Sequence, residues 1–147
     1  MGYTHYWYYQ PNKIEDKPLL REKFGQASKQ IQEFADYIDR NKMFSVCNGL
    51  GEEKPTFNNN EVWFNGDKAE GLDHETFCIE WDTEDRDFCK TARKPYDLLV
   101  CFSLLTFSEV FPREIFSFSS DGTPSEPLWQ NAIKYYEKFT GKKASFL

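Results

Sequence analysis

Three cations, Lys90, Arg93 and Lys94, stand within five positions of the segment Phe88-Cys89-Lys90-Thr91-Ala92-Arg93-Lys94-Pro95-Tyr96-Asp97. Ammonium and guanidinium groups at that spacing can hold a phosphate or another small anion. The segment leads into an apolar run that predicts a buried helix from Pro95 to about Phe107. A helix start is the positive end of the helix dipole, and its first amide groups lack internal partners, so both would add to the side chains. Thr91 supplies a hydroxyl and Tyr96 a ring face for a base. The competing reading is an exposed basic turn that balances Asp82, Glu84, Asp85 and Asp87.

A second polar loop, Ser119-Ser120-Asp121-Gly122-Thr123, lies between a predicted strand and a predicted helix. The hydroxyls of Ser119 and Ser120 and the amides around Asp121 can meet phosphate or sugar oxygens, although Asp and Gly are equally what a tight turn selects. His5 alternates with Tyr3, Trp7 and Tyr9, so it is either a general acid–base or base-contacting group or a satisfied histidine within an aromatic sheet face. Trp7 is a candidate stacking ring. His74, Cys78 and Cys89 lack the paired spacing of a metal site, so no metal and no cofactor are expected. G-x-S-x-G, P-loop and G-x-G-x-x-G patterns are absent, and no catalytic residue is assigned. Asp97 lies beside the cations, where a carboxylate also stabilises a helix start.

The elements that must position these groups follow from periodicity. Tyr3 to Tyr9 is a β-prone run whose faces are Tyr3, His5, Trp7, Tyr9 and Thr4, Tyr6, Tyr8. Leu20, Phe24, Ala27, Ile31, Phe34 and Ile38 form one stripe of a helix from Pro18 to about Arg40, with Asp16 as its cap. Short strands are predicted at Ser45–Cys47 and at Glu61–Phe64, the second ending in an Asn65-Gly66 turn. Glu75–Trp81 alternates as a strand, Asp82–Asp87 reads as an acidic loop, and Phe88–Ala92 is extended. Ile115–Ser119 is a further strand, and a last helix runs from a Ser125 cap through Phe139 to a stop at Gly141. The order β-α-β-β-β-β-α-β-α predicts one α+β domain over 1–147, a mostly antiparallel sheet packed with about three helices, with a loose tail over 142–147.

The chain has 147 residues, a formal charge of −6, 39% hydrophobic residues and 18% aromatics. Rings supply much of the apolar bulk, which excludes disorder for most of the length. The acidic balance excludes general duplex nucleic-acid binding. No apolar run is long enough for a membrane span, and no secretion signal opens the chain. Gly2 is not in a myristoylation context. Four cysteines without a C-x-x-C pair read as reduced thiols in a cytoplasmic protein.

Gly2-Tyr3-Thr4-His5-Tyr6-Trp7, Val62-Trp63-Phe64-Asn65-Gly66, Glu75-Thr76-Phe77, the Phe88–Asp97 segment and Ser119-Ser120-Asp121-Gly122 together resemble a family of uncharacterised phage and bacterial proteins. The blocks span nearly the whole chain, and Cys-Lys-Thr-Ala-Arg-Lys-Pro-Tyr-Asp is the most specific of them. The connection between the Asn65-Gly66 and Phe88 blocks is compact here beside longer members. The resemblance brings no activity with it. It implies a small protein at home in phage genomes, where proteins of this size often bind host components stoichiometrically.

Joined to the basic segment, this gives one expectation: sequestration of a phosphate-bearing small molecule such as a nucleotide signal, against host defence. Its ligand groups would be Lys90, Thr91, Arg93, Lys94, Tyr96, His5, Trp7, Ser119, Ser120 and Asp121, with sites shared between chains if the protein forms a homo-oligomer. Two rivals stand beside it. One is a nucleotide- or nucleic-acid-processing enzyme using His5 with Asp97 or Asp121 at the same site. The other is an acidic inhibitor that binds a host protein.

Overall fold

A computed structural model describes residues 3–144, which form seven strands and three α-helices in an α+β arrangement. Gly2 and positions 145–147 of the expected tail lie outside the described residues.

The first strand, β1 (Thr4–Tyr9), is the middle of a three-stranded antiparallel sheet between β6 (Asp85–Lys90) and β7 (Phe116–Ser120). Its alternation separates two faces, as a strand requires. Tyr3, His5, Trp7 and Tyr9 are buried, whereas Tyr6 is exposed and Tyr8 half-buried. Tyr6 stands opposite Phe88 on one side and Ser119 on the other, and Tyr8 opposite Arg86 and Ser117.

A second antiparallel group is built on β4 (Glu61–Gly66). It pairs with β2 (Val46–Cys47), β3 (Thr56–Phe57) and β5 (Phe77–Glu80). Here the structure corrects the expected Asn65-Gly66 turn, since both residues remain in the strand. The Asn65 side chain accepts from the His74 amide at 3.1 Å and donates to the His74 carbonyl at 3.0 Å, tying the following loop down. A side chain at Gly66 would strike the Leu72 carbonyl, so glycine is needed for close approach rather than for a turn.

The β3 strand was not expected; two residues are too short for a periodic signal. The acidic Asp82–Asp87 stretch also ends earlier than expected, because its last three residues open β6.

Helix α1 (Lys17–Arg40) buries the whole predicted stripe, and the Asp16 side chain accepts from the Leu19 amide at 3.1 Å. Helix α2 (Asp97–Val110) has every residue from Asp97 to Phe107 buried and packs against α1, α3 and β7. An all-round apolar helix belongs at the centre of a fold. It starts two residues after Pro95, not in the turn containing it. Helix α3 (Pro127–Thr140) is preceded by Glu126 rather than by a Ser125 cap, and it ends at Gly141 in the left-handed conformation, as expected. No described helix is long and apolar enough to cross a membrane.

Candidate functional site

Two places use the residues singled out above, one inside the molecule and one on its surface. The internal one begins with His5 on β1, fully buried with Asp97, the first residue of α2. His5 Nε2 lies 2.6 Å from Asp97 Oδ1, and His5 Nδ1 lies 2.8 Å from Ser120 Oγ at the end of β7.

The remaining partners assign the protons. Ser120 Oγ accepts from the Gly122 amide at 2.9 Å and from Trp129 Nε1 at 3.0 Å, both obligatory donors. Its two lone pairs are thereby used, so its own hydrogen is donated to His5 Nδ1. The ring proton of His5 is therefore on Nε2 and is donated to Asp97. The carboxylate also accepts from Thr91 Oγ1 at 2.5 Å and from Cys101 Sγ at 3.4 Å.

Asp97 sits at the positive end of α2, where a carboxylate is favoured. Burial, followed by the Asp97 carboxylate, pushes the Cys101 thiol well above its ordinary range. His5, Asp97 and Cys101 also offer three metal-type donor atoms within 4.8 Å of one another. With the proton on Nε2 and separations typical of hydrogen bonds, the group is a hydrogen-bonded cluster.

This corrects the expected anion site at the start of α2. The Asp97 and Leu98 amides donate to the carbonyls of Lys94 and Pro95, and the Leu99 and Val100 amides to that of Tyr96. The first-turn donors are occupied, and the positive helix end already holds the chain's own carboxylate. Thr91 is buried and spent on Asp97. Trp7 and Tyr96 are buried, and their rings offer no open face for stacking. The Tyr96 hydroxyl donates to the Glu75 carbonyl at 2.5 Å, and the Trp7 indole donates to Asp85 at 3.2 Å.

The three cations also have separate neighbours. Lys90 lies over the Phe88 ring and Arg93 over the Tyr3 ring, while Lys94 donates to the Gly71 carbonyl at 3.0 Å. Ala92 and Arg93 both have positive φ, at 51° and 57°, with the Lys94 amide returning to the Thr91 carbonyl at 2.9 Å. This tight turn uses two non-glycine residues in a conformation they disfavour.

Asp121 is exposed, but its carboxylate accepts from the Thr4 amide and the Tyr6 hydroxyl, at 3.1 and 3.2 Å. Gly122 is required by packing, because a Cβ there would meet the Tyr3 hydroxyl. Ser119 remains exposed on the outer face of the sheet. His74 is engaged with the Lys90 carbonyl at 2.6 Å rather than with Cys78 or Cys89.

The surface place is that outer face. Tyr6 and Phe88 are 40% and 46% exposed, with ring centres 6.5 Å apart. The guanidinium of Arg86 lies 4.1 Å from the centre of the Tyr8 ring. Arg113, Ser117 and Ser119, together with Trp7, Asp87 and Phe118, complete the lining of an open hollow over these strands. Tyr6, Tyr8, Arg86, Phe88, Arg113 and Ser117 were not predicted as site residues. The period-2 pattern separated Tyr6 and Tyr8 from the other rings, but both faces are aromatic, and only packing decides which one α2 and α3 cover. Comparison with family models, with curated proteins and with solved structures finds no match to this chain.

Proposed function

We propose that the protein binds a phosphate-bearing small molecule of the nucleotide type, and that it does so on the outer face of the β6-β1-β7 sheet. The observation that carries this reading is the exposed Tyr6–Phe88 ring pair with Lys90 and Arg86 on the same strand faces. Exposed rings on a sheet offer a base its π-face, and neighbouring cations offer its phosphate a partner. Ser117 and Ser119 supply hydroxyls to polar edges of the ligand. Tyr6 and Phe88 thus take the stacking part first assigned to Trp7 and Tyr96, while Lys90 and Ser119 keep theirs. The resemblance to phage proteins gives such binding a purpose, removal of a nucleotide signal used in host defence, in the cytoplasm of the host.

Turnover is the rival reading, favoured by one observation. Ser120, His5 and Asp97 are linked in the hydroxyl-to-imidazole-to-carboxylate order of a nucleophile, base and orienting acid. Against it, His5 and Asp97 have no exposed surface, and the Ser120 oxygen already accepts two N–H groups. The network therefore serves better to fasten β1, α2 and β7 beneath the binding face.

Thermal-shift measurements against mono-, di- and cyclic nucleotides test the proposal. A ligand that binds only the folded chain raises the transition, by roughly 2.7 kcal/mol of stability at a hundred times its Kd. A shift that is lost in Lys90→Ala and Phe88→Ala supports the reading, and no shift with any nucleotide at high concentration overturns it. Bound nucleotide released intact by heat excludes turnover. Capture of a host protein that persists in Lys90→Ala would instead favour the acidic-inhibitor reading.

A further inference from the structure

Resting on the nucleotide reading of this same face, we infer that its occupant is a single-stranded nucleic acid, engaged through at least two consecutive bases that are unstacked from each other. The argument starts from register. Phe88, Tyr6 and Ser119 lie in one row across β6, β1 and β7, and Arg86, Tyr8 and Ser117 lie in the next outward row. Each row therefore combines a ring with a serine hydroxyl, and the second adds a guanidinium plane at 4.1 Å from the Tyr8 ring. Two residues of an antiparallel strand advance about 6.8 Å, which is twice the 3.4 Å base step of a stacked strand.

Bases placed on adjacent rows therefore cannot stack on each other. An extended single strand can adopt that spacing, while a duplex, whose bases stay stacked and paired, cannot. A mononucleotide would set its base on one row and bring only its phosphate to the other.

Charge points the same way. Lys90 borders the first row, Arg86 stands in the second, and Arg113 lines the same hollow. These three cations gather on one face of a chain whose net charge is −6. Three carboxylates border this face and keep their charge: Asp121 accepts from the Thr4 amide and the Tyr6 hydroxyl, Asp87 lines the hollow and accepts from the Phe88 amide at 2.7 Å, and Glu75 accepts from the Lys90 amide at 2.8 Å. Stacking on rings reads no particular base, so the surface is expected to tolerate sequence.

The test is fluorescence anisotropy with a labelled thymidylate oligomer of about ten nucleotides, the corresponding duplex, and thymidine monophosphate as competitor. The oligomer is expected to bind at least tenfold more tightly than either. Tyr6→Ala and Phe88→Ala should each weaken it about tenfold or more. The logarithm of affinity should fall with the logarithm of salt with a slope near −2, as three neutralised phosphates require, and the slope should shrink in Arg86→Ala. Lys29→Ala, an exposed cation on α1, should leave binding unchanged. Tyr6 and Phe88 are partly exposed, and unfolding midpoints of the variants verify that they fold.

Monophosphate binding with no gain for the oligomer, or equal binding of the duplex, overturns this inference and leaves the nucleotide reading intact. Absence of binding by both monophosphate and oligomer overturns the two together. Equal weakening by Lys29→Ala would also overturn it, since attraction to the chain's cations at large would then explain the binding.

Discussion

At the scale of single residues, Ser120 determines the state of the buried cluster. With two N–H donors on its oxygen, only one direction is left for its own hydrogen, which makes His5 the Nε2–H tautomer. Nitrogen-15 NMR of the imidazole is expected to show Nε2 protonated and Nδ1 as the bare acceptor. The opposite tautomer would refute this assignment. Ser120→Ala removes the acceptor of the Trp129 indole and the Gly122 amide and the donor to His5 Nδ1, and should lower stability by about 3 kcal/mol in urea unfolding. Asp97→Ala uncovers the donors of His5, Thr91 and Cys101 in a dry interior and should cost about 3–5 kcal/mol. Equal stability of Asp97→Ala and the parent would show that the cluster does not fasten the fold.

At the scale of elements, the turn Thr91–Lys94 stores backbone strain that the neighbouring contacts hold in place. Ala92 at φ 51° makes no side-chain hydrogen bond, so Ala92→Gly should raise stability by about 0.5–1 kcal/mol, read from the urea midpoint. Arg93→Gly should gain less, since it also removes the guanidinium from the Tyr3 ring. The same scale shows what periodicity can and cannot reveal. Helix α1 was legible in full because one stripe, Leu20 to Ile38, meets one core and Asp16 caps it. The two faces of β1 were legible as an alternation. Asn65-Gly66 was misread because the pair is a common hairpin signal, whereas here the Asn side chain bonds a distant loop and Gly66 admits the Leu72 carbonyl. The basic segment was recognised as unusual, yet its cations disperse, because their directions depend on Tyr3, Gly71 and Phe88, neighbours that sequence spacing does not supply.

At the scale of the whole molecule, the interior holds weak acids that ionise readily only in the unfolded chain. Burial pushes the Cys78 thiol up to about 11 and the Cys89 thiol up to about 12, from an ordinary 9.0. It pushes the Tyr136 phenol up to about 12 from 10.0, and raises Tyr3, Tyr9 and Tyr96 further. Above about pH 9 the unfolded chain releases these protons while the folded chain keeps them. The native state then binds more protons, so stability must fall as pH rises. The urea midpoint is expected to be higher at pH 8 and to decline steadily toward pH 11, and a flat profile would contradict the burial of these groups. Thiol reagents should modify Cys89 and Cys101 only as fast as the molecule opens, which their reaction rates in native buffer and in urea will show.

The middle position of β1 has a consequence for how the chain is made. Thr4–Tyr9 pairs on one side with residues 85–90 and on the other with 116–120. On a ribosome this strand emerges early, carrying Trp7 and Tyr9, and has neither neighbour until much of the chain has followed. Helix α1 can form meanwhile from local contacts, but the strand can pair with β6 only after Lys90 has emerged, and it gains its second neighbour only when Ser120 is free of the exit tunnel. Sheet closure is therefore a late event in synthesis, dominated by contacts distant in sequence, and it belongs with the slower topologies. Nascent chains stalled before Phe116 should accordingly display an aromatic strand with an open edge, the kind of surface that chaperones retain.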